Sequence, residues 1–265
     1  PRAAGRARPS PVIVADPLFY LVAVPAVIMT GISKSGFGGA VGSLAVPLMS
    51  LVIAPPQAVA IMLPILLVMD AMGLVAFRGQ VSRAILRVAL PSGLLGIGVG
   101  WLLFRHIDAR WVSLLIGVEA IVFAVQRLLE GQRAWTGPPR PLRGPAAAFW
   151  SALSGFTSFV SHAGGPPMMQ LMMPLKLDHR IFVGTLAWFF AAINVSKLLP
   201  YAHLGLFDGA NFATSLALMP VVPVGYLIGL RLLRWMQPAV FVRVATIGLL
   251  LTGIKLCWDA SGLGV

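Results

Sequence analysis

The chain has 265 residues, of which 58% are hydrophobic and 11% charged, against roughly 25% charged in a soluble domain; this excludes a soluble globular protein and defines an integral membrane one. Its formal charge of +12 comes from 20 basic and 8 acidic side chains, and the arginines gather between apolar runs, where they set orientation rather than bind nucleic acid. The single cysteine, Cys257, excludes an internal disulfide and a cysteine-based metal cluster. At about 20 apolar residues per crossing, the chain has room for about six to eight helical spans, and its apolar runs are too long for the strands of about ten residues that build membrane barrels.

Residues 1–16, with Arg2, Arg6 and Arg8, read as a disordered N-terminal arm. The first repeat, 17–130, opens on an apolar run from Pro17 to Thr30, short for a crossing, and continues into GISKSGFGGAVGSLAVP, Gly31 to Pro47. That density of Gly, Ser and Pro disfavours continuous helix. Backbone without helical bonds is tolerated at membrane depth only where protein buries it or it lines a wet cavity. A second short run, Leu44 to Ala54, ends at Pro55 and Pro56, which predicts a re-entrant hairpin in preference to a kinked or broken helix. Spans follow over Gln57 to Phe77, Ala84 to Phe104 and Trp111 to Leu129.

Residues 131–145 contain four prolines and three glycines and form a linker, placed on the cytoplasmic side by Arg133, Arg140 and Arg143. The second repeat, 146–260, begins with a short run from Ala146 to Gly155. It continues through GFTSFVSHAGGPPMMQLMMP, Gly155 to Pro174, and three runs from Ile181 to Tyr201, Phe212 to Leu233 and Val240 to Trp258. Pro91 and Gly100 are nine apart, as are Pro220 and Gly229; Gly31 with Pro47 corresponds to Gly155 with Pro174, so the offset drifts from 124 to 129 residues. With Arg78 to Arg87 and Arg127 to Arg143 inside and Tyr201 to Asn211 outside, the two units have opposite orientation. The expected fold is an all-α integral membrane protein of two inverted repeats, each a re-entrant or broken helix hairpin plus three transmembrane helices. Secondary transporters built this way bind substrate near the midplane with discontinuous helices.

Lys34, flanked by Ser33 and Ser35, is a cation at a depth where charge is costly and faces a cavity or a partner. With the amides of a half-helix starting near Gly38 and Gly39 it would make an anion site; the alternative is a lysine that snorkels to the surface. Asp70 and Glu119 are the acids inside spanning runs. Asp70 is expected either to pair with Lys34 or Lys197, to take up a coupling proton, or to pin helices through a salt bridge. Glu119 has no counterpart in the other half. Asn194 and Lys197 fall 124 and 127 residues after Asp70 and share a helix face. In the second interrupted stretch, Ser158, Ser161, His162, Gly164 and Gly165 are candidates. His162 is read as donating to an anion or relaying protons, or as bonding a neighbouring carbonyl. Gln170 and Tyr201 are secondary candidates, whereas Met168, Met169, Met172 and Met173 read as packing. No P-loop, zinc spacing or catalytic triad is present in the sequence, so no cofactor and no metal are expected.

The two interrupted stretches, each ending in Pro-Leu (Pro47-Leu48 and Pro174-Leu175) and each opening one half of the chain, resemble the sulfite exporter TauE/SafE family, also called the 4-toluene sulfonate uptake permease family. The resemblance runs from about residue 17 to 260. Gly36, Gly38, Gly39, Gly42 and Pro47 carry the first motif; the second departs, with Ser161, His162 and Pro166 where glycine is usual. The resemblance implies a carrier of the bacterial inner membrane for small sulfur-containing anions such as sulfite, sulfoacetate or other organosulfonates. Alternating access, with proton coupling through Asp70 or His162, is the expected mechanism, and the expected partners are the anion and membrane lipid. Two rivals stay open at this point: a passive anion channel, and a membrane enzyme or assembly subunit.

Overall fold

The computed structural model describes residues 13–36, 42–130, 138–232 and 238–262. Gly38 and Gly39, most of the N-terminal arm and linker residues 131–137 lie outside the described residues. The first half contains α1 (Pro17–Gly36), a 3-10 turn at Gly42–Leu44 leading into the short α2 (Ala45–Met49), then α3 (Pro55–Ala76), α4 (Arg83–Phe104) and α5 (Ala109–Glu130). The second contains α6 (Gly144–Ser161), α7 (Gly165–Met172), α8 (His179–Ser196), α9 (Leu198–His203), α10 (Gly209–Leu218), α11 (Val221–Leu232) and α12 (Pro238–Ser261). Regular structure among the described residues is entirely helical.

Five stretches are long and apolar enough to cross a membrane: α1, α3, α4, α5, and α8 continued through α9. The pair α10 and α11, bent by 43°, counts as a sixth if it is taken as one span. Its bend falls at Met219 and Pro220, where proline removes a helical donor. The polar ends are capped as the sequence allows. Asp178 Oδ1 accepts from the Arg180 and Ile181 amides at the start of α8, and Asp208 accepts from the Asn211 amide at the start of α10.

Two breaks fall later than the glycine content indicates. Of the two forms expected for the opening unit, α1 fits the broken helix: it runs for 20 residues, through Gly31 and as far as Gly36. Likewise α6 runs through Gly155 to Ser161. These glycines are packing residues. A Cβ on Gly155 would lie 1.9 Å from the Gly93 carbonyl oxygen, and one on Gly96 1.9 Å from that of Ala152, so α4 and α6 touch backbone to backbone. The contact between α1 and α11 has the same form: a Cβ on Gly225 would lie 2.7 Å from the Ile28 carbonyl oxygen, and one on Gly31 2.8 Å from the Tyr226 nitrogen. Small residues at such crossings let membrane helices approach closely.

The contacts match in pairs. Gly96 faces Ala152 as Gly225 faces Ile28, and Gly100 faces Phe159 as Gly229 faces Ser35. The offset is 124 residues between the α1 and α6 members and 129 between the α4 and α11 members. Gly117 of α5 and Gly253 of α12 each approach the other's carbonyl oxygen, at 2.9 and 2.8 Å from the would-be Cβ atoms. Inside this frame α3 packs on α8, and the buried Asp70, Asn194 and Lys197 lie on that pair or at its end.

Candidate functional site

The site is built at the interruption between α6 and α7. His162 closes α6 with φ 56°, and among the described residues only it and Lys176 are non-glycine residues with positive φ. That conformation costs about 1 kcal/mol or more for a residue with a Cβ, so the surrounding bonds must hold it. Ser154 Oγ donates to the Gly164 carbonyl at 2.7 Å, and Thr157 Oγ1 to that of Ala163 at 3.1 Å; hydroxyls of α6 thus satisfy the carbonyls that the break releases. The helix resumes as Gly165-Pro166-Pro167. Both prolines lack an N–H, so of the first three residues of α7 only Gly165 has an amide to present. The start of α7 thus offers few amide donors, while the half-helix start expected near Gly38 and Gly39 lies outside the described residues.

A second proline shapes the opposite wall. Pro64, inside α3, removes the donor that the Ala60 carbonyl would use and displaces the preceding turn. Carbonyls of that turn accept from the second half: His162 Nε2 lies 2.9 Å from the Val59 oxygen, and Ser215 Oγ donates to that of Ile61 at 2.8 Å. A carbonyl only accepts, so the His162 ring carries its proton on Nε2 and leaves Nδ1 as an acceptor. Lys197 fills it. Its Nζ is 2.7 Å from His162 Nδ1, 2.9 Å from the Ser158 carbonyl oxygen and 3.0 Å from Ser158 Oγ, with the side chain fully buried.

On the other side of the same space, Lys34 of α1 pairs with Asp70 of α3. Asn194 Nδ2 donates to the second carboxylate oxygen at 2.5 Å. That bond fixes the amide, because the reverse orientation would set Asn194 Oδ1 against the carboxylate. Asn194 Oδ1 is buried and has no partner among the described residues. Lys34, Ser158, His162 and Asn194 line one small cavity together with Thr30 and Leu66; Gly165 and Phe190 complete it. It has room for about one or two water molecules.

Of the candidate residues, Lys34, Ser158, His162, Gly165 and Asn194 thus meet on one cavity, with Asp70 and Lys197 bonded to its lining. The others are placed elsewhere. Ser35 donates to the Gly31 carbonyl of its own helix and packs on Gly229 of α11, Ser33 is buried within α1, and Gly164 makes room for the Phe190 ring. Ser161 donates to Glu119 Oε2 of α5 at 2.5 Å rather than to the cavity. Tyr201 donates to the Phe159 carbonyl at 2.7 Å. Thr30, Leu66 and Phe190 were not picked out from sequence; Phe190 lies four residues before Asn194 and seven before Lys197, a helical stripe that points to it.

A bundle of apolar spans with a lysine, an aspartate and an asparagine buried, and a second lysine half-buried, around an interrupted helix is a multi-pass membrane protein with a polar internal site. The model of the sulfite exporter TauE/SafE family matches residues 23–256, nearly the whole chain. The chain belongs to that family, whose members are membrane transporters of sulfur-containing anions. No curated protein and no solved structure matches the chain.

Proposed function

We propose that the chain is a secondary transporter that carries sulfite or a small organosulfonate across the bacterial inner membrane by alternating access. The observation that carries this reading is the small cavity beside the helix break, lined by the half-buried Lys34 together with Ser158, His162 and Asn194, with the buried Lys197 bonded to Ser158 and His162 of that lining. Two lysines against one aspartate leave a formal excess of one positive charge, which a monovalent anion neutralises; buried charge is otherwise costly. Asp70 pairs with Lys34; an incoming anion takes over that contact, and the cavity, with room for about one or two water molecules, widens to admit it. Movement of the Asp70 carboxylate, or its protonation, is then part of each cycle. The unpartnered Asn194 Oδ1 favours a guest that brings a hydroxyl, as hydrogensulfite does.

The paired glycine contacts at offsets of 124 and 129 residues support a duplicated architecture, and the antiparallel course of α3 and α8 past the cavity supports inverted repeats. The domain division at 17–130 and 146–260 follows from it, with the Arg-rich connections inside. The test is uptake of labelled sulfite by proteoliposomes holding the purified chain. A carrier gives saturable uptake that internal unlabelled sulfite accelerates. Non-saturating flux with no counterflow would assign the site to a passive channel.

A further inference from the structure

Phe190 stands between two cavities. One is the cavity described above; the second is bounded by Met69, Asp70 and Gly73 of α3, Val183 and Ala187 of α8, and Tyr226 of α11. The two share only Lys34 and Phe190 among their lining residues. Along α8 the stripe Val183, Ala187, Phe190, Asn194 runs from the second cavity into the first, a span of about 16 Å at 1.5 Å per residue. Along α3 the same passage runs from Gly73 back to Leu66. The two spaces therefore adjoin along α3 and α8, and Lys34 and Phe190 form the wall they share.

The ring is held on both sides. Lys34 Nζ lies 5.6 Å from its centroid, within the range of a cation–π contact. On the other side a Cβ on Gly164 would come 2.8 Å from Phe190 Cε1, so the glycine of the helix break is what leaves room for the ring. Phe190 is 8% exposed and packs edge-on against Phe189, with centroids 5.2 Å apart. A side chain so fixed, beside Lys34 and in the wall shared by the two cavities, limits what the inner cavity accepts on that side.

We infer that Phe190 is the residue that sets the size of the anion this chain carries: it confines the sulfur headgroup to the inner cavity and excludes bulky substituents. This rests on the sulfur-anion reading above. The headgroup sits against Lys34, and a substituent that points toward the second cavity meets the ring. Replacing Phe190 by alanine joins the two cavities and gives the substituent a place. Lys34, Asn194, Ser158 and His162 keep their positions, so recognition of the headgroup persists.

The experiment is inhibition of labelled sulfite uptake in proteoliposomes by methanesulfonate and by benzenesulfonate, for the parent chain, Phe190→Ala and Phe190→Leu. The two inhibitors have the same headgroup, so their ratio isolates the substituent. In the parent, benzenesulfonate inhibits less well than methanesulfonate. In Phe190→Ala the gap closes by at least about tenfold, the scale on which a filled or emptied apolar pocket discriminates, while half-saturation for sulfite changes less. If Phe190→Ala does not fold or carries no sulfite, the same ratio in Phe190→Leu decides, with a smaller narrowing expected. A ratio unchanged from the parent, or a parent that takes both inhibitors equally, overturns the inference and leaves the transport reading standing. A folded parent with no flux of any sulfur anion overturns the transport reading itself, and the size assignment with it.

Discussion

Lys34 and Asp70 form a pair that a double-mutant cycle can separate from a lysine reaching the surface. Asp70 is 4% exposed and the Lys34 side chain 13%, so neither charge is well hydrated in the folded chain. Removing one partner of a buried pair costs about 3–5 kcal/mol, because the other is left uncompensated. The two single variants differ. Lys34→Met leaves Asp70 with the Asn194 amide alone, whereas Asp70→Leu leaves Lys34 over the Phe190 ring, a contact worth about 0.5–2 kcal/mol. Lys34→Met is therefore expected to be the more destabilising. In Lys34→Met/Asp70→Leu neither charge remains, and the loss falls short of the sum of the single losses by at least about 2 kcal/mol. Equilibrium unfolding of the purified variants in mixed micelles measures each value. Additivity within about 0.5 kcal/mol would refute the argument and return Lys34 to the bilayer surface.

Further outcomes follow from the same geometry. Gly96→Ala places a methyl 1.9 Å from the Ala152 carbonyl oxygen and is expected to cost about 1–3 kcal/mol, while Gly98→Ala, inside α4 with nothing within 4 Å of the new Cβ, leaves the melting temperature no lower than that of the parent and raises it by the helix preference of alanine. Asp178→Ala removes the cap of α8 and lowers stability by about 1 kcal/mol, with sulfite uptake unchanged; a large loss of uptake would place that end of α8 in the path. Lys197→Met removes the contacts to Ser158 and His162 and lowers sulfite flux at least about tenfold, the equivalent of one charged hydrogen bond. Flux close to that of the parent would detach Lys197 from the mechanism.

Much of the interior was legible because buried charge in an apolar chain is rare and expensive. Asp70 and Asn194, 124 residues apart and so at corresponding depth, are directly bonded, and Asp70 also meets one of its two expected lysine partners, Lys34. Glycine was harder to read, since the same residue that weakens a helix also lets two helices touch. Gly31 and Gly155 belong to the second case, and nothing local in the sequence distinguishes them from Gly164 at the true break. Hydroxyl direction was equally hidden: Ser158 and Ser161 are three residues apart, yet one serves Lys197 and the other Glu119. The loss of amide donors at the start of α7 was written in Pro166 and Pro167 and follows from their chemistry alone.

The central claim is that a sulfur oxyanion rests between the Lys34 and Lys197 sides of the protein, inside the cavity lined by Ser158, His162 and Asn194. Its most direct test is an experimental structure of the chain soaked in selenite, whose selenium marks the position of the sulfite sulfur by anomalous scattering. The account predicts one selenium peak within that cavity, with Lys34 Nζ drawn from Asp70 toward it. Selenite carried by the protein but located outside the cavity, with the Lys34–Asp70 pair intact, would contradict it.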